Sequence, residues 1–216
     1  FNYSPENLPP KKRNKQLLLE GFGLDADEDR PLVGMVTRLV DQKGMDLVAE
    51  AMEDMMALDL NFILLGTGDE TYHELARSWA ERWPERCAVI LDFDRGLSHR
   101  IEGGADLFLM PSRFEPCGLN QLYSLKYGTV PIVHAVGGLD DTIDDIPNDG
   151  TAGTGFKMTE YTVEALLEAL KQALSLYENR KLWDAIRKRG MKQDFSWNAS
   201  AEAYSELYRS LLRVEV

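Results

Sequence analysis

The feature that most constrains the fold is a regular alternation between short apolar runs and longer segments with helical spacing. The runs cover residues 32–36, 61–65, 87–91, 106–110, 130–134 and 153–158. Runs that are this short and sharply bounded predict buried strands. Strands that alternate with helices favour right-handed βαβ units and a parallel sheet covered on both faces. The sequence therefore predicts an α/β fold, a Rossmann-like doubly wound parallel sheet with helices on both faces.

The segments between these runs show the apolar period of amphipathic helices. After Gly44, for example, apolar residues recur on one helical face as far as Met55. A short helix is expected over residues 14–20, before the stop signal of Gly21 and Gly23. All four tryptophans fit helix faces and are expected in the core: Trp79, Trp83, Trp183 and Trp197.

The chain divides into three predicted parts. Residues 1–15 combine prolines with a basic cluster and show no apolar period, which predicts an interdomain linker. Residues 16–193 contain every predicted strand and are expected to form one domain. Residues 194–216 carry a further amphipathic helix.

Composition narrows the functional class. The net charge of −12 argues against a nucleic-acid partner, because binding a phosphate backbone needs clustered lysine and arginine. No apolar run approaches the roughly 20 residues of a membrane span, so no membrane role is expected. Two cysteines do not make a disulfide framework and indicate a reducing compartment.

Polar residues concentrate where the fourth and fifth predicted strands end. Glu115 and Cys117 lie in a loop shaped by proline and glycine, and a second turn contains Gly137 and Gly138. The carboxyl ends of neighbouring parallel strands meet at one edge of a sheet, where open sheets bind ligands. A ligand with a phosphate and several hydroxyls would suit both loops.

Two cations, Arg38 and Lys43, follow the first predicted strand. A guanidinium and an ammonium in such a loop suit a diphosphate, although spacing alone fits two solvated surface cations equally well. His99 and His134 flank this region without the spacing of metal ligands, so no metal is expected.

These motifs resemble the donor-site signature of bacterial glycogen synthases and plant starch synthases, which are glycosyltransferases of family 5 with the two-domain GT-B fold. The matching segments are residues 37–39, 42–44, 98–101, 103–106, 111–122 and 137–139 with Thr142. The resemblance covers nearly the whole chain but only the C-terminal half of the family's length.

The resemblance implies a role for each matching residue. Arg38 and Lys43 would hold the donor phosphates and offset charge on the leaving diphosphate, and Glu115 would contact the hydroxyls of the donor sugar; these three form the expected catalytic set. Phe93 would lie against the nucleotide base, although a core or capping phenylalanine fits the sequence nearly as well. The other expected donor-binding residues are Cys117, Gly118, Leu119, Gln121, Gly137, Gly138, Leu139 and Thr142.

The reaction implied by the resemblance is retaining transfer of glucose from ADP-glucose to the non-reducing end of an α-1,4-glucan, without a metal or other cofactor. An N-terminal GT-B domain of the full-length chain would supply most acceptor contacts, and the helix of residues 194–216 would cross back to it. This domain alone is expected to be inactive, and the expected location is the bacterial cytoplasm or, in a plant, the plastid.

Two alternatives stay open from sequence: a nucleotide-sugar-binding module without transfer activity, and a GT-B sugar-nucleotide epimerase. An epimerase should carry additional acids or bases, and no such pair stands out around Glu115. The choice between ADP and UDP also stays open.

Overall fold

A computed structural model of the protein describes residues 1–212, so residues 213–216 of the predicted C-terminal segment lie outside the described residues. The helices are α1 (Pro9–Phe22), α2 (Met45–Ala57), α3 (Glu70–Arg82), α4 (Arg95–Gly104), α5 (Asn120–Lys126), α6 (Gly137–Thr142), α7 (Val163–Glu178), α8 (Arg180–Met191) and α9 (Trp197–Leu212). The strands are β1 (Leu32–Val36), β2 (Asn61–Leu65), β3 (Cys87–Ile90), β4 (Leu107–Met110), β5 (Val130–His134) and β6 (Phe156–Met158). A 3-10 turn covers Asp41–Lys43.

The six strands form one parallel sheet in the order β3-β2-β1-β4-β5-β6. The order reverses between β1 and β4, which is the topological switch point of a doubly wound fold. These two strands pair through Val33 with Leu107 and Gly34 with Phe108, so their carboxyl ends lie beyond the shared ladder. The predicted doubly wound parallel fold is confirmed.

Helices cover both faces of the sheet and enclose two apolar cores. One core lies under α2, α3, α7 and α8 and includes Met52, Leu107 and Trp183. The other lies under α1, α4 and α6 and includes Leu19 and Phe108. Leu107 and Phe108 are consecutive residues of β4 and enter opposite cores, as the two-residue period of a strand requires. No helix within residues 1–212 has the length and apolar character needed to cross a bilayer.

The N-terminal segment differs from the prediction. Helix α1 begins at Pro9, five residues before the predicted start at residue 14. Prolines suit the first positions of a helix, because the N–H groups there have no partner within the helix. Lys11 and Lys15 of this helix are buried. The second half of the predicted linker of residues 1–15 is therefore helical and packs on the domain.

The tryptophan prediction is wrong for one residue. Trp79 and Trp183 are buried and Trp83 is half-buried, whereas Trp197 is 90% exposed at the start of α9. No residue of α9 is buried. The helical period of α9 was predicted correctly, but its apolar face contacts no core within the described chain.

Candidate functional site

Two adjoining cavities open at the carboxyl ends of β1 and β4, where the strand order reverses. The first cavity has a volume of about 300 Å³ and the second about 430 Å³. Both are lined by Val36, Thr37, Arg38 and Asn120. We call the two cavities together the donor site, after the role that the sequence analysis predicts for several of their lining residues. Its position is the one where open parallel sheets bind ligands.

The first cavity brings Lys43 and Glu115 together. The Lys43 ammonium is ion-paired with the Glu115 carboxylate, and the Ser112 hydroxyl lies 3.4 Å from the same carboxylate oxygen. Glu115 is buried, and Lys43 retains 20% of its side-chain exposure. The Ser112 carbonyl lies 2.8 Å from Nδ1 of His134, which fixes the loop against β5. The carboxylate is therefore held at the cavity wall beside a cation.

Gly44 explains why the loops after β1 and β4 meet. Its φ is +80°, and a Cβ at this position would lie 2.1 Å from the carbonyl oxygen of Pro111. The amide of Arg113 also donates to the carbonyl of Gln42 at 3.0 Å. Only glycine permits this backbone approach without strain. The contact places Lys43, the residue before Gly44, opposite Glu115.

Arg38 lies at the junction of the two cavities, and its side chain is exposed. One guanidinium nitrogen donates to the Gln42 side-chain oxygen at 2.9 Å. A guanidinium has five N–H donors in a planar fork, so further donors stay available for a ligand. This arrangement suits a phosphate that spans the junction.

The second cavity contains the predicted aromatic residue. Phe93 is 84% exposed in the lining, which excludes the alternative of a core phenylalanine. The lining also includes His99 and Tyr123, whose rings meet edge to face with centroids 5.9 Å apart. An exposed aromatic ring at the edge of a cavity suits stacking against a planar base.

The sequence did not predict a role for Glu102 in this cavity. Its carboxylate is buried, and one oxygen lies 2.8 Å from Nδ1 of His99. Burial raises the pKa of Glu102, although the hydrogen bond from His99 opposes that shift. The helical spacing of three residues between His99 and Glu102 was the signal in the sequence that could have identified the pair.

The two glycines in the first turn of α6 pack against the backbone of the Glu115 loop. A Cβ on Gly138 would lie 2.1 Å from the carbonyl oxygen of Cys117. The Gly138 amide donates to the carbonyl of Glu115 at 2.9 Å, so in this structure that amide is not free for a phosphate. Gly137, with φ +48°, would bring a Cβ 2.3 Å from the same Glu115 carbonyl oxygen. The turn and the loop are therefore packed backbone to backbone.

The predicted site residues separate into two groups. Those that line the donor site are Arg38, Lys43, Phe93, Glu115, Gly118 and Leu119. Those outside its lining are Cys117, Gln121, Gly137, Gly138, Leu139 and Thr142. In the second group, the buried Gln121 amide donates to the Cys117 carbonyl at 2.9 Å and to the Thr142 hydroxyl at 3.2 Å. These residues stabilise the loop that carries Glu115.

Within residues 1–212, no group of three histidine, cysteine, aspartate or glutamate side chains is arranged to hold a metal ion. The charges that face a ligand in the first cavity are those of Arg38, Lys43 and Glu115. That the reaction needs no metal stays a prediction.

The chain is similar in sequence to curated glycogen synthases. The chain is 52% identical over 211 residues to a glycogen synthase of Anaeromyxobacter dehalogenans, with 97% of this chain and 44% of that relative covered. It is 44% identical over 212 residues to a glycogen synthase of Koribacter versatilis, with 98% and 44% covered. The chain thus spans less than half the length of the curated relatives it matches.

Among solved structures, the chain is similar to the catalytic domain of starch synthase IV from Arabidopsis thaliana bound to ADP and acarbose. The TM-score is 0.88 at 34% identity, with 97% of this chain and 44% of that chain covered. The family model of the glycosyl transferases group 1 matches residues 20–192, which is most of the chain. The matched segment contains all six strands of the sheet and the lining residues of both cavities, and the chain belongs to the glycosyl transferases group 1 family.

Proposed function

We propose that this chain is the donor-binding domain of a retaining glucosyltransferase that moves glucose from ADP-glucose to the non-reducing end of an α-1,4-glucan. The observation that carries the proposal is the meeting of Arg38, Lys43 and Glu115 in one cavity at the switch point of the sheet. Two cations suit a diphosphate, and a buried carboxylate beside them suits the hydroxyls of a sugar. The similarity to glycogen synthases and to a starch synthase domain bound to ADP supports the choice of donor.

The linear order of a nucleotide sugar matches the order of the two cavities. The base lies in the second cavity against Phe93, and the sugar lies in the first cavity near Glu115 and Gly118. The diphosphate connects them and therefore occupies the junction, where Arg38 contributes to both linings. Lys43 reaches the same region from the first cavity.

The residues of the donor site then act on the bond between the anomeric carbon and the diphosphate. As this bond breaks, negative charge accumulates on the leaving diphosphate, and Arg38 and Lys43 offset it. Glu115 orients the glucose through its hydroxyls during the same step. Glu115 is the one carboxylate of residues 1–212 that lines the first cavity, which favours transfer over epimerisation, since epimerisation needs further acids or bases.

The proposed reaction also requires a second domain, which binds the acceptor. The matched glycogen synthases are more than twice as long as the aligned segment, because it covers 44% of their length. We assign the acceptor glucan and the opposite wall of the cleft to an N-terminal domain, so the 216-residue chain alone is inactive. For the full-length enzyme we infer a location in the bacterial cytoplasm or, in a plant, the plastid.

Calorimetric titration of the 216-residue chain with ADP, UDP, ADP-glucose and adenosine, in EDTA, tests the donor assignment. We expect ADP and ADP-glucose to bind more tightly than UDP. Arg38→Ala should weaken ADP by roughly 10- to 100-fold, the effect of one charge-assisted contact, and leave adenosine unchanged. Arg82→Ala, which removes an exposed cation of α3 paired with Glu53, is the matched control.

The same titration gives results that would overturn the proposal. Equal losses of ADP and adenosine affinity in Arg38→Ala would show that the arginine does not contact the diphosphate. Tighter binding of UDP than of ADP would overturn the choice of nucleotide. An absolute requirement for Mg²⁺ would contradict the role given to Arg38 and Lys43.

A further inference from the structure

A separate cavity of about 270 Å³, whose lining residues are mostly charged, lies at the amino end of β4. We call it the amino-end cavity. Asp106, the residue before β4, contributes to its wall, and helices α1, α7 and α8 enclose it. The donor site lies past the other end of the same four-residue strand, roughly 13 Å along the chain. The two sites therefore occupy opposite edges of the sheet.

The lining of this cavity contains one more cation than its carboxylates can neutralise. It includes five basic and four acidic side chains. Each acid is ion-paired with a different cation: Asp106 with Lys15 at 2.7 Å, Glu28 with Lys12 at 2.5 Å, Asp29 with Arg180 at 3.1 Å, and Asp184 with Arg187. The fifth cation, Lys11, appears in none of the ion pairs of residues 1–212.

Lys11 is also the most deeply buried of these cations, at 1% exposure. Its ammonium donates to the carbonyl of Gly103 at 3.0 Å and to the Thr129 hydroxyl at 2.7 Å, which are both neutral acceptors. Burial, and then the nearby Arg187 guanidinium, hold the pKa of Lys11 well below its usual range. A buried charge without an opposite charge is costly, so an anion beside Lys11 would be stabilising.

Two further donors in the lining have no acceptor. The indole Nε1 of Trp183 and the guanidinium Nε of Arg187 are buried and make no hydrogen bond to residues 1–212. Both groups can only donate. The two buried acceptors without partners, on Asn61 and Gln121, belong to residues outside this lining. Water could accept from the two donors, but it would leave the charge of Lys11 unbalanced.

We propose that the amino-end cavity is a binding site for a small phosphate-class anion, either free phosphate or the phosphate group of a small ester. Phosphate offers several acceptor oxygens and at least one negative charge. The oxygens match the two donors without partners, and the negative charge would favour the protonated form of the buried Lys11 amine. Every other charged side chain in the lining has a partner of opposite charge. The site is independent of the donor function proposed above.

The indole N–H of Trp183 gives a local readout of this site. The chain has four tryptophans, so a ¹H–¹⁵N spectrum of the 216-residue protein shows their indole signals apart from the backbone, and Trp183→Phe identifies the one of interest. Inorganic phosphate is added at constant ionic strength, with chloride as the control salt. We expect phosphate to move the Trp183 signal saturably while chloride does not.

A second titration with glucose 1-phosphate distinguishes the two sources of the phosphate group. Equal affinity for both probes assigns the site to the free anion, and tighter binding of the ester assigns it to an ester. Phosphate bound at Arg38 and Lys43 would not account for the signal, because Trp183 lies at the opposite edge of the sheet.

Variants test the role of the unpaired ammonium. Lys11→Met should weaken phosphate roughly tenfold or more, since it removes a contact with a charged group. Lys188→Met makes the same charge change at an exposed position of α8 and should leave affinity unchanged. Arg187→Lys keeps the charge but removes the Nε donor, so it tests the site even where Lys11→Met fails to fold. The proposal is overturned if the Trp183 signal is unmoved up to about 50 mM phosphate, well above a millimolar dissociation constant, or if Arg187→Lys binds as the wild type does.

Discussion

Replacing Glu115 with glutamine tests how the donor site changes when a diphosphate enters it. The Lys43 ammonium is ion-paired with Glu115, and the two side chains keep 20% and 9% of their exposure. A phosphate that binds Lys43 must therefore share or displace this partner. Glu115→Gln preserves the shape of the side chain and removes its negative charge. We expect ADP to bind more tightly to this variant, although the proposed transfer reaction of the full-length enzyme should be severely slowed.

The size of the effect follows from the environment of the pair. Two unit charges in contact interact by about 4 kcal/mol at an effective dielectric constant of 20, which is an upper bound here because Lys43 is partly exposed. The glutamine oxygen still accepts a hydrogen bond from Lys43, and the net value of a hydrogen bond to a charged group is roughly 1.5–3 kcal/mol. When the retained hydrogen bond is subtracted from the upper bound, about 1 kcal/mol is left for the charge of Glu115. This corresponds to about fivefold in the dissociation constant of ADP.

A double-mutant cycle measures this effect by calorimetric titration with ADP. Lys43→Met should weaken ADP, and the double variant Lys43→Met with Glu115→Gln should match Lys43→Met alone, because Glu115 acts on the phosphate through Lys43. A tenfold loss of ADP affinity in Glu115→Gln would refute the reasoning. That result would mean that Glu115 holds Lys43 in its binding position.

Three further predictions follow from individual contacts. Gly138→Ala, whose Cβ would lie 2.1 Å from the Cys117 carbonyl oxygen, should lower the free energy of unfolding by more than about 2 kcal/mol in urea. Lys15→Met should cost roughly 3–5 kcal/mol in the same assay, because it leaves Asp106 buried and unpaired. Burial raises the pKa of Asp106, but the charge and hydrogen bond of Lys15, the Leu32 amide and the Arg187 charge together lower it by more. The net shift is downward, so the stabilisation is present above about pH 4 and is lost as the pH falls further. Phe93→Ala should weaken ADP about tenfold in calorimetry and change unfolding by less than about 0.5 kcal/mol, since this ring is exposed.

The sheet was predictable because each strand is a buried apolar run with distinct ends. The observed bounds of Leu32–Val36, Asn61–Leu65 and Val130–His134 are those predicted. The strands at residues 87–91, 106–110 and 153–158 are shorter than predicted, with bounds of Cys87–Ile90, Leu107–Met110 and Phe156–Met158. Apolar character marks where a run is buried, whereas pairing with a neighbour decides where the ladder stops.

Helix α1 was not predictable in full, because its stability depends on distant residues. Its first residues are proline and lysine, a composition typical of linkers. The ammonium of Lys11 is held by Gly103 and Thr129, which are 92 and 118 positions away in the sequence. The spacing of apolar residues in the local sequence does not reveal contacts with residues so far away. The polar character of Lys11 and Lys15 therefore concealed the fact that this face of the helix is buried.

The residues of the donor site were predictable in part, since Arg38, Lys43 and Glu115 line it, but their arrangement was not. Lys43 and Glu115 were identified separately, each at the end of a strand. Their ion pair depends on the contact of Gly44 with Pro111, which requires the loops after β1 and β4 to be neighbours. Sequence order places β2 and β3 between those strands, but the switch point brings β1 and β4 together.

The last prediction concerns helix α9, whose apolar face packs against no other described part of the chain. Tyr204, Leu207, Tyr208 and Leu211 are all exposed, and no residue of the helix is buried. A contiguous apolar surface of this kind marks an interaction site. The relatives are more than twice as long as the aligned segment, so we predict that a second domain of the longer protein covers this face.

Hydrogen exchange followed by mass spectrometry tests this assignment. In the 216-residue chain, amides of α9 should exchange much faster than those of β1, since a helix without tertiary packing opens at low cost. In a longer protein that includes the second domain, exchange in α9 should slow. Leu207→Glu should change unfolding of the short chain by less than about 0.5 kcal/mol, whereas Leu170→Glu, at a buried position of α7, should unfold it. Exchange in α9 as slow as in β1, measured on the short chain, would show that the helix is stable without a partner and would remove the argument for a covering domain.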